Sequence, residues 1–498
     1  MSYDVIVVGS GNAALCAGIA ACEQGKRVLM IEKAMPDMAG GNSKYTAGAM
    51  RFAYDGAEDL LPLLEDANDP RLSQTDFGRY TQQSFTDDLL KFNDGRPLSP
   101  EQSALVEEGY SVVRWLASHE VKFEPIYSRQ SFEKNGRHVF WGGLTLAAQN
   151  EGVGLVDMEL AAFQKLGGEI RYDCEAVDLQ VADGVVCGVH VRNALGQVDL
   201  IEGRSVVLAC GGFEANESMR AELMGGHWAK AKVRGTPHNT GRGLEMAFKL
   251  GGQRYGIYSG CHATPMDLMM PEYGNLEIPH GERKNYRKIC YFLGIMLNAR
   301  GDRFVDEGKD FRNYTYAQFG KAVLEQPGHF AWQIFDSSVD HLLYGEYRFE
   351  DAHFVEADTL EALVEKLDGI DDKHHALATI QNYNVSVDEH TVFDPTIKDG
   401  KATRGLELPK SNWAQRIEKG PFKAYPVTGG ITFTYGGLKV DGIGRVLRED
   451  ESPIEGLFAC GELVGGVFYN GYPGGSGLTS GAVFGRRAGL GATGVSEP

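Results

Sequence analysis

The sequence predicts an α/β fold built on a mostly parallel sheet. Three observations lead to this prediction. Residues 3–32 contain an apolar segment, a glycine turn, an alanine-rich segment and a second apolar segment, which is the pattern of a strand–helix–strand unit. Strand and helix patterns alternate again between residues 158 and 209. Strand and turn patterns return from residue 434, beyond a long span of different character.

The first unit carries a dinucleotide-binding signature. Gly9 permits a tight turn after the first strand, Gly11 lets the backbone approach a pyrophosphate, and Ala14 packs the helix against the strand. Glu32 ends the second strand, where a carboxylate can accept hydrogen bonds from a ribose hydroxyl. The backbone amides at the start of the helix after Gly11 are suited to binding the negatively charged pyrophosphate. Because strand, helix and acid are correctly spaced, the unit predicts a bound adenine dinucleotide.

The next elements are predicted from local signals. Gly40-Gly41-Asn42-Ser43 suits a loop lying against a cofactor, with an ordinary surface turn as the alternative. Ser99-Pro100-Glu101 predicts the start of an amphipathic helix that runs to about Ser118. A further helix is predicted over Met158 to Leu166. Strands are predicted at 169–172, 176–181, 185–192 and 205–209.

Residues 258–422 are predicted to form an inserted lobe. This span holds most of the arginine, tyrosine and histidine candidates, and it interrupts a strand and turn pattern that resumes at 434–440 and 457–462. The run Tyr472 to Ala482 is another glycine turn that opens a helix, a geometry suited to polar ligands. We therefore predict one domain from residues 1–257 and 423–498, and a capping or substrate domain from residues 258–422.

Composition restricts the class of protein. The 49 Lys and Arg against 68 Asp and Glu give a net charge of −19, so nucleic acid is not expected as a partner and an anionic substrate needs a local basic pocket. No apolar run reaches the roughly 18 residues that span a bilayer. The eight cysteines form no C-x-x-C pair, which favours reduced thiols over disulfides or metal sites. Because the first strand begins at Tyr3, no signal peptide is expected, and the predicted localisation is cytoplasmic.

Short motifs in order along nearly the whole chain carry a family resemblance. They are Gly9-Ser10-Gly11, Glu32-Lys33, Gly40-Gly41-Asn42-Ser43, Leu208-Ala209-Cys210-Gly211-Gly212-Phe213, Ala459-Cys460-Gly461-Glu462 and Gly474-Gly475-Ser476. Through them the chain resembles the fumarate reductase/succinate dehydrogenase flavoprotein superfamily. The resemblance implies a Rossmann-like FAD-binding domain formed by both chain ends, an inserted α+β capping domain, and FAD held noncovalently.

Covalent attachment of the flavin is not expected. Members with a histidyl–flavin bond carry a His just after the second-strand loop, where this chain has Ser43-Lys44-Tyr45. The membrane iron–sulfur partner of those members is not expected either. The residues predicted to bind FAD are Gly9, Gly11, Asn12, Ala13, Ala14, Glu32, Lys33, Gly40, Gly41, Asn42, Ser43, Gly48, Ala176, Cys210, Gly211, Glu462, Ser476 and Leu478.

Within the superfamily the chain looks most like the FAD-dependent tricarballylate dehydrogenases, which desaturate a polycarboxylate. The motifs that carry this likeness include Arg234-Gly235-Thr236-Pro237, Gly260-Cys261-His262, residues 303–314 and Gly430-Ile431-Thr432-Phe433-Thr434-Tyr435. The resemblance assigns proton exchange with the substrate to Arg312 and substrate binding to His262. The alternative for Arg312 is a structural ion pair with Glu307 or Asp310. The alternative for His262 is a buried histidine that is satisfied within the protein.

Departures from the fumarate reductase pattern are equally informative. Phe433 stands where those enzymes place a second carboxylate-binding His, and Tyr472 stands where they place a carboxylate-clamping Arg. Arg287 and Cys290 stand approximately where they place a Glu/Arg proton relay. Plain fumarate reduction is therefore not expected.

The turn Tyr472-Pro473-Gly474 also resembles, in part, the ketosteroid dehydrogenases of the superfamily, in which a tyrosine and a backbone amide polarise a ketone. Ser476 replaces the glycine that supplies that amide. A guanidinium is an unusual base because its pKa exceeds about 12, so Arg312 needs desolvation and crowding by cations such as Arg287 or Arg283. Tyr314 or Tyr316 is the substitute.

These observations predict an FAD-dependent oxidoreductase that desaturates or reduces a CH–CH bond adjacent to a carboxylate or ketone. A small polycarboxylate such as tricarballylate is favoured, and the electron acceptor is unidentified. The alternatives are an enone-forming 3-keto dehydrogenase of the ketosteroid or oxocyclohexane type, and a flavin electron-carrying subunit without hydride chemistry of its own. The predicted catalytic residues are Arg312, His262, Tyr472, Tyr314 and Arg287.

Overall fold

Two β-sheets organise the chain in the computed structural model, which describes residues 2–271, 284 and 286–495. Eight strands of these residues form the larger sheet: Tyr3–Val8, Val28–Ile31, Glu169–Arg171, Cys174–Ala182, Val185–Asn193, Val198–Leu208, Arg445–Leu447 and Pro453–Ala459. Strand Tyr3–Val8 is almost wholly buried, as expected for a central strand with both faces covered.

Both ends of the chain build this sheet. Tyr3–Val8 pairs in parallel with Val28–Ile31 on one side and with Val198–Leu208 on the other. Pro453–Ala459 then extends the sheet by pairing in parallel with Val198–Leu208, with Val206 opposite Leu457. The predicted fold class is therefore confirmed: strands from the beginning, the middle and the end of the sequence form one Rossmann-like sheet.

The first and last long helices pack closely together. A Cβ on Gly485 would lie 2.4 Å from the Ala13 carbonyl oxygen, so the two helix backbones approach where glycine leaves room. Asn12 Nδ2 donates a hydrogen bond to the Leu478 carbonyl at 2.8 Å. The α-helices in the described part of the chain are Asn12–Glu23, Ala57–Leu60, Gln82–Leu90, Pro100–Ser118, Tyr127–Gln130, Glu151–Lys165, Glu217–Met224, Arg242–Lys249, Arg312–Leu324, Leu360–Glu365, Lys373–Ser386 and Ser476–Ala492.

The second sheet forms the core of the capping lobe. Its described strands are Lys232–Val233, Cys261–Asp267, Ile295–Asn298, Ala331–Phe335, Val355–Ala357 and Phe422–Thr434. Phe422–Thr434 pairs with four of the others, although the predicted domain boundary follows residue 422. The pairing favours a boundary near residue 434, and the limits of the lobe remain a proposal.

Local predictions differ from the structure mainly at element ends. The helix predicted from Ser99 is Pro100–Ser118, with a capping box between Ser99 and Gln102. The helix predicted from Met158 begins earlier, at Glu151, because its first turn is held by a bond from the Gly152 amide to the Thr46 carbonyl. Short strands of the described chain complete the fold: Ala49–Met50, Thr75–Asp76, Phe123–Pro125, Ser131–Lys134, Arg137–Phe140, Leu146–Ala148, Arg254–Tyr255 and Gly437–Leu438.

Within the described residues, no helix combines enough length with enough apolar character to cross a membrane.

Candidate active site

A cavity lies at the carboxyl ends of strands Tyr3–Val8 and Val28–Ile31. Gly9 adopts φ +109°, and a Cβ there would lie 2.5 Å from the Ala209 carbonyl oxygen, so the turn requires glycine. Glu32 lines the same cavity, beside Ser10 of the glycine turn. This arrangement is the crevice in which an open α/β sheet binds its ligand.

Most residues predicted to bind FAD lie together around this cavity. Its lining includes Gly9, Gly11, Asn12, Ala13, Glu32, Lys33, Gly41, Asn42, Ser43, Ala176, Cys210, Gly211 and Glu462. Leu478 lines the adjoining cavity described below. The structure does not bring Ala14, Gly40, Gly48 or Ser476 to either lining. Ser476 is fully buried and its hydroxyl donates to the Pro473 carbonyl at 2.7 Å, so it holds the turn before the last helix.

Two buried carboxyl groups surround the loop Gly40–Ser43. Glu32 accepts hydrogen bonds from Ser10 Oγ at 2.5 Å and from the Ala34 amide at 2.8 Å, and burial raises the pKa of Glu32. Glu214 accepts hydrogen bonds from Asn42 at 2.5 Å and Asn239 at 2.6 Å.

The Glu462 carboxyl group lies next to Glu214, and burial together with this second carboxylate raises the pKa of Glu214 well above its usual range. Burial raises the pKa of Glu462 as well, while Thr434 donates to its carboxylate through both amide and hydroxyl at 2.7 and 3.0 Å. Contact with the other carboxyl group raises the pKa of Glu214 and lowers that of Glu462, so the shared proton belongs to Glu214. Sequence reasoning missed Glu214, since a single acid after a glycine pair carries no motif of its own.

A second cavity lies between the dinucleotide-binding sheet and the capping lobe. Four predicted catalytic residues line it: Arg312, His262, Tyr472 and Arg287. Tyr314 does not, because its hydroxyl lies 2.6 Å from Asp88 Oδ2 and 3.0 Å from the Gly142 carbonyl oxygen. The predicted alternative tyrosine, Tyr316, does line the cavity. Arg283 lies outside the described residues.

Three guanidinium groups converge on one wall of this cavity. Arg312 is the first residue of helix Arg312–Leu324, and its Nη2 donates to the Arg129 carbonyl oxygen at 2.6 Å. Arg287 pairs with Glu346 at 2.7 Å, and Arg129 pairs with Glu151. Burial, followed by the positive charge of Arg287, lowers the pKa of Arg129 to about 10. Sequence reasoning missed Arg129, which lies in a one-turn helix without a recognisable motif.

The alternative interpretation of Arg312 as a structural ion pair is not what the structure shows. Glu307 pairs with Arg303 at 2.5 Å, and Asp310 pairs with Lys398 at 3.6 Å. Within residues 2–271 and 286–495, Arg312 has no carboxylate partner. Its Nε is buried without a hydrogen-bond partner there, so a donor remains for a ligand in the cavity.

His262 is buried at the same cavity with both ring nitrogens unpaired among the described residues. Its ring stacks on Phe433 with centroids 5.5 Å apart and meets Tyr316 edge-on at 5.0 Å. Burial and the nearby charges of Arg234 and Arg287 lower the pKa of His262 well below its usual range, so the ring is neutral at pH 7. The alternative of a satisfied buried histidine therefore does not describe this residue.

The remaining wall is aromatic and carries hydroxyl groups. The hydroxyl oxygens of Tyr316 and Tyr472 lie 2.9 Å apart, and burial raises the pKa of Tyr472 well above its usual range. Tyr435 Oη is buried without a hydrogen-bond partner in the part of the chain described. Phe468 packs against Tyr472 with ring centroids 5.0 Å apart. Tyr435 belongs to a motif that carried the sequence resemblance, whereas Phe468 had no such signal.

The two cavities are contiguous. They share the lining residues Asn12, Ala13, Asn42, Ser43, Gly461 and Glu462. An extended dinucleotide therefore fits with one end beside Glu32 and the other at the wall that faces the capping lobe, where Leu478 and Gly481 also contribute. The buried carboxylate, the glycine turn and the continuity of the space together match FAD.

Comparison with known proteins agrees with this geometry. The description FAD binding domain matches residues 4–478 of the chain. NADH:fumarate oxidoreductase of Klebsiella pneumoniae (strain 342) is 27% identical over 498 residues, covering 98% of this chain and 47% of that protein. Vinyl phenol reductase of Lactiplantibacillus plantarum is 26% identical, covering 94% of this chain and 90% of that protein.

The fold has solved counterparts as well. The structure of 3-ketosteroid delta1-dehydrogenase from Sterolibacterium denitrificans superposes with a TM-score of 0.74 at 21% identity, covering 99% of both chains. The chain spans about half the length of the first curated relatives it matches, at 47% and 50%. The matched family covers nearly the whole of this chain, so the chain belongs to the FAD binding domain family, within the fumarate reductase/succinate dehydrogenase flavoprotein superfamily, and FAD is its cofactor.

Proposed function

We propose that the chain is an oxidoreductase that adds or removes hydrogen across a carbon–carbon bond adjacent to a carboxylate. One observation carries this proposal: Arg129, Arg287 and Arg312 converge on a cavity that shares its lining with the dinucleotide cavity. Since the whole chain has a net charge of −19, such a local cluster is what an anionic substrate requires. Two relatives are by name an NADH:fumarate oxidoreductase and a vinyl phenol reductase, and fumarate and vinyl phenol both contain a carbon–carbon double bond.

The chain's own residues supply binding, orientation and a proton. Bound FAD supplies the hydride acceptor or donor. The guanidinium groups bind the substrate carboxylate, and the burial of Arg287 and Arg312 excludes water that would screen this interaction. Arg312 holds the transferred proton on its guanidinium, with Nη2 fixed by the Arg129 carbonyl and Nε directed at no protein partner in the described chain. Neutral His262 donates or accepts a hydrogen bond to orient the substrate.

The arginines at the cavity bear on how many carboxylates the substrate carries. The sequence favours a small polycarboxylate such as tricarballylate, and four arginines at the cavity support an anion of this kind: Arg129, Arg234, Arg287 and Arg312. Two of them already pair with a glutamate. The geometry thus supports the first carboxylate more strongly than a second or third.

A second candidate function, enone formation in a cyclic ketone, rests on the hydroxyl pair of Tyr316 and Tyr472. A hydroxyl chain in an apolar wall is suited to polarising a carbonyl. The amide of Ser476, however, already donates to the Pro473 carbonyl at 3.2 Å, so the amide that would complete such a site is occupied.

Turnover by the purified protein without partner proteins tests the proposed oxidoreductase function. The purified holoenzyme is assayed in both directions with an artificial electron acceptor or donor, on carboxylates and on a neutral cyclic enone. Turnover of a carboxylate is expected. Turnover of the neutral ketone alone would replace the proposal by the enone function, and no turnover of any substrate would favour an electron-carrying subunit.

A further inference from the structure

We propose that the substrate has one carboxylate attached through the reacting carbon–carbon bond to a flat apolar ring, as in an arylacrylate such as cinnamate. This inference rests on the proposed function and specifies its substrate class. Two walls of one cavity lead to this inference. In the described chain, most guanidinium groups of the cationic wall already have partners, whereas the aromatic wall holds buried neutral polar atoms without partners.

The cationic wall matches one carboxylate. Of the three convergent guanidinium groups, Arg129 and Arg287 pair with Glu151 and Glu346, and only Arg312 has no acidic partner in the described chain. The fourth arginine at the cavity, Arg234, donates hydrogen bonds to Thr432 Oγ1 and to the Tyr45 carbonyl, so a second or third substrate carboxylate would meet no further unpaired cation among the described lining residues. Burying an unpaired carboxylate is strongly unfavourable.

The aromatic wall matches a ring. Phe433 lies with its ring centroid 5.5 Å from His262 and 5.3 Å from Tyr472, and Phe468 lies 5.0 Å from Tyr472. These side chains present π faces and edges, which favour a flat unsaturated group over a charged one. Burial and the charges of Arg234 and Arg287 lower the pKa of His262, which favours a ring that hydrogen-bonds without adding positive charge.

Polar atoms on this wall remain without partners. Tyr435 Oη and both nitrogens of His262 are buried and unpaired among the described residues. Buried polar atoms of this kind are normally satisfied, so they indicate a ligand group that hydrogen-bonds without charge. A hydroxyl on the ring would meet this requirement.

The two walls are separated by a short span. Arg312 and Tyr316 are four residues apart on helix Arg312–Leu324, so they share one face and lie about 6 Å apart along the axis. The Tyr316 hydroxyl then contacts that of Tyr472 at 2.9 Å. A carboxylate separated from a ring by two carbon atoms matches this span, and it places the reacting bond between the walls.

The test compares cinnamate, 4-hydroxycinnamate, fumarate and aconitate as substrates of the holoenzyme with reduced methyl viologen as donor, and 2-cyclohexenone as the neutral probe. We expect kcat/KM for cinnamate to exceed that for fumarate and aconitate by at least about tenfold, which is the discrimination that an apolar pocket provides. A second readout is the dissociation constant of 3-phenylpropionate from the perturbed flavin absorbance. Equal or better use of fumarate or aconitate would overturn this inference and leave the proposed function intact. Turnover of 2-cyclohexenone alone, or of none of these substrates, would overturn both this inference and the proposed function.

Substitutions in the aromatic wall test whether this wall binds the ring of the substrate. Phe433→Ala is expected to lower kcat/KM for cinnamate about tenfold and to weaken 3-phenylpropionate binding, with less than about threefold change for fumarate. FAD content and thermal unfolding report whether the variant is folded. Phe354→Ala, at an exposed position outside the cavity, is the matched control. Equal losses on cinnamate and fumarate in Phe433→Ala would contradict a ring-binding wall.

Discussion

Arg312 Nη2 donates a hydrogen bond to the main-chain carbonyl oxygen of Arg129 at 2.6 Å. Arg312 begins a helix of the capping lobe, whereas Arg129 lies in the short helix Tyr127–Gln130 of the N-terminal part. The bond therefore brings two guanidinium groups from distant parts of the sequence to one wall. Because like charges in a buried site repel, the cluster gains stability when an anion binds.

The pH dependence of substrate binding follows from Arg129, whose pKa is lowered to about 10. As pH rises through this value Arg129 loses its positive charge, so KM for a carboxylate substrate should be flat near neutral pH and rise above about pH 10. Arg129→Gln should raise KM about tenfold at neutral pH, the loss expected for a charge-assisted hydrogen bond, and abolish the alkaline rise. Arg114→Gln, at an exposed position, is the control and should keep the rise. An unchanged profile in Arg129→Gln would assign it to another group.

Noncovalent attachment of FAD is predicted from the loop after the second strand, where Ser43 and Tyr45 flank Lys44. Ser43 Oγ accepts a hydrogen bond from the Asn12 amide at 3.0 Å, so this side chain stabilises the start of the first helix. Acid precipitation should release intact FAD into the supernatant. Flavin retained in the protein pellet would contradict noncovalent attachment, and release of FMN would contradict the role of Glu32 beside an adenosine ribose.

A proton shared between Glu214 and Glu462 makes stability depend on pH. Glu214 has a pKa raised in the folded protein, so the unfolded chain loses this proton at lower pH than the folded one. The folded state then binds more protons, and stability falls as pH rises above the ordinary glutamate range. Glu214→Gln keeps the shape and can still donate to Glu462, so it should raise the melting temperature at pH 8 and change it little at pH 5. Glu222→Gln, on an exposed face of helix Glu217–Met224, is the control. Lower stability of Glu214→Gln at pH 8 would show that Glu214 is ionised.

His262 is predicted to act in binding, because its neutral ring lies at the cavity with both nitrogens unpaired in the described chain. His262→Ala should raise KM about tenfold and lower kcat less than about threefold, the pattern of lost uniform binding. Steady-state kinetics measures both constants, and His374→Ala at an exposed position serves as control. A loss confined to kcat would instead give His262 a role in proton transfer.

The parts of the fold that local signals determine were predicted from the sequence. Gly9, Gly11 and Glu32 were found because a dinucleotide turn imposes fixed spacing within one strand–helix–strand unit. Arg129 was not predicted from the sequence, because its position in the site depends on a contact with Arg312, 183 residues away. Long-range contacts likewise distinguish Tyr314 from Tyr316.

Both tyrosines follow Arg312 on one helix, and the sequence alone did not tell which of them faces the cavity. Tyr316 is one turn from Arg312 and shares its face, whereas Tyr314 turns toward Asp88 and Gly142. The boundary of the capping lobe was placed at a change in composition, while strand Phe422–Thr434 continues through it. The orientation of the two tyrosines and the extent of the lobe both depend on contacts between segments that are distant in the sequence.

The central claim, that Arg312 transfers the proton, is tested most directly by anaerobic single-turnover reduction or oxidation of the flavin by substrate in Arg312→Ala and Arg312→Lys. Both variants should retain FAD, as the visible spectrum reports, because Arg312 does not line the dinucleotide cavity. Loss of a positioned proton-transfer group should slow the reaction about 10²–10⁴-fold. Arg312→Lys should be nearly as slow as Arg312→Ala, since an ammonium does not place its donors as the planar guanidinium does. Reaction of FAD-loaded Arg312→Ala at close to the parent rate would contradict the claim and transfer the role to another residue, with Tyr316 the first to examine.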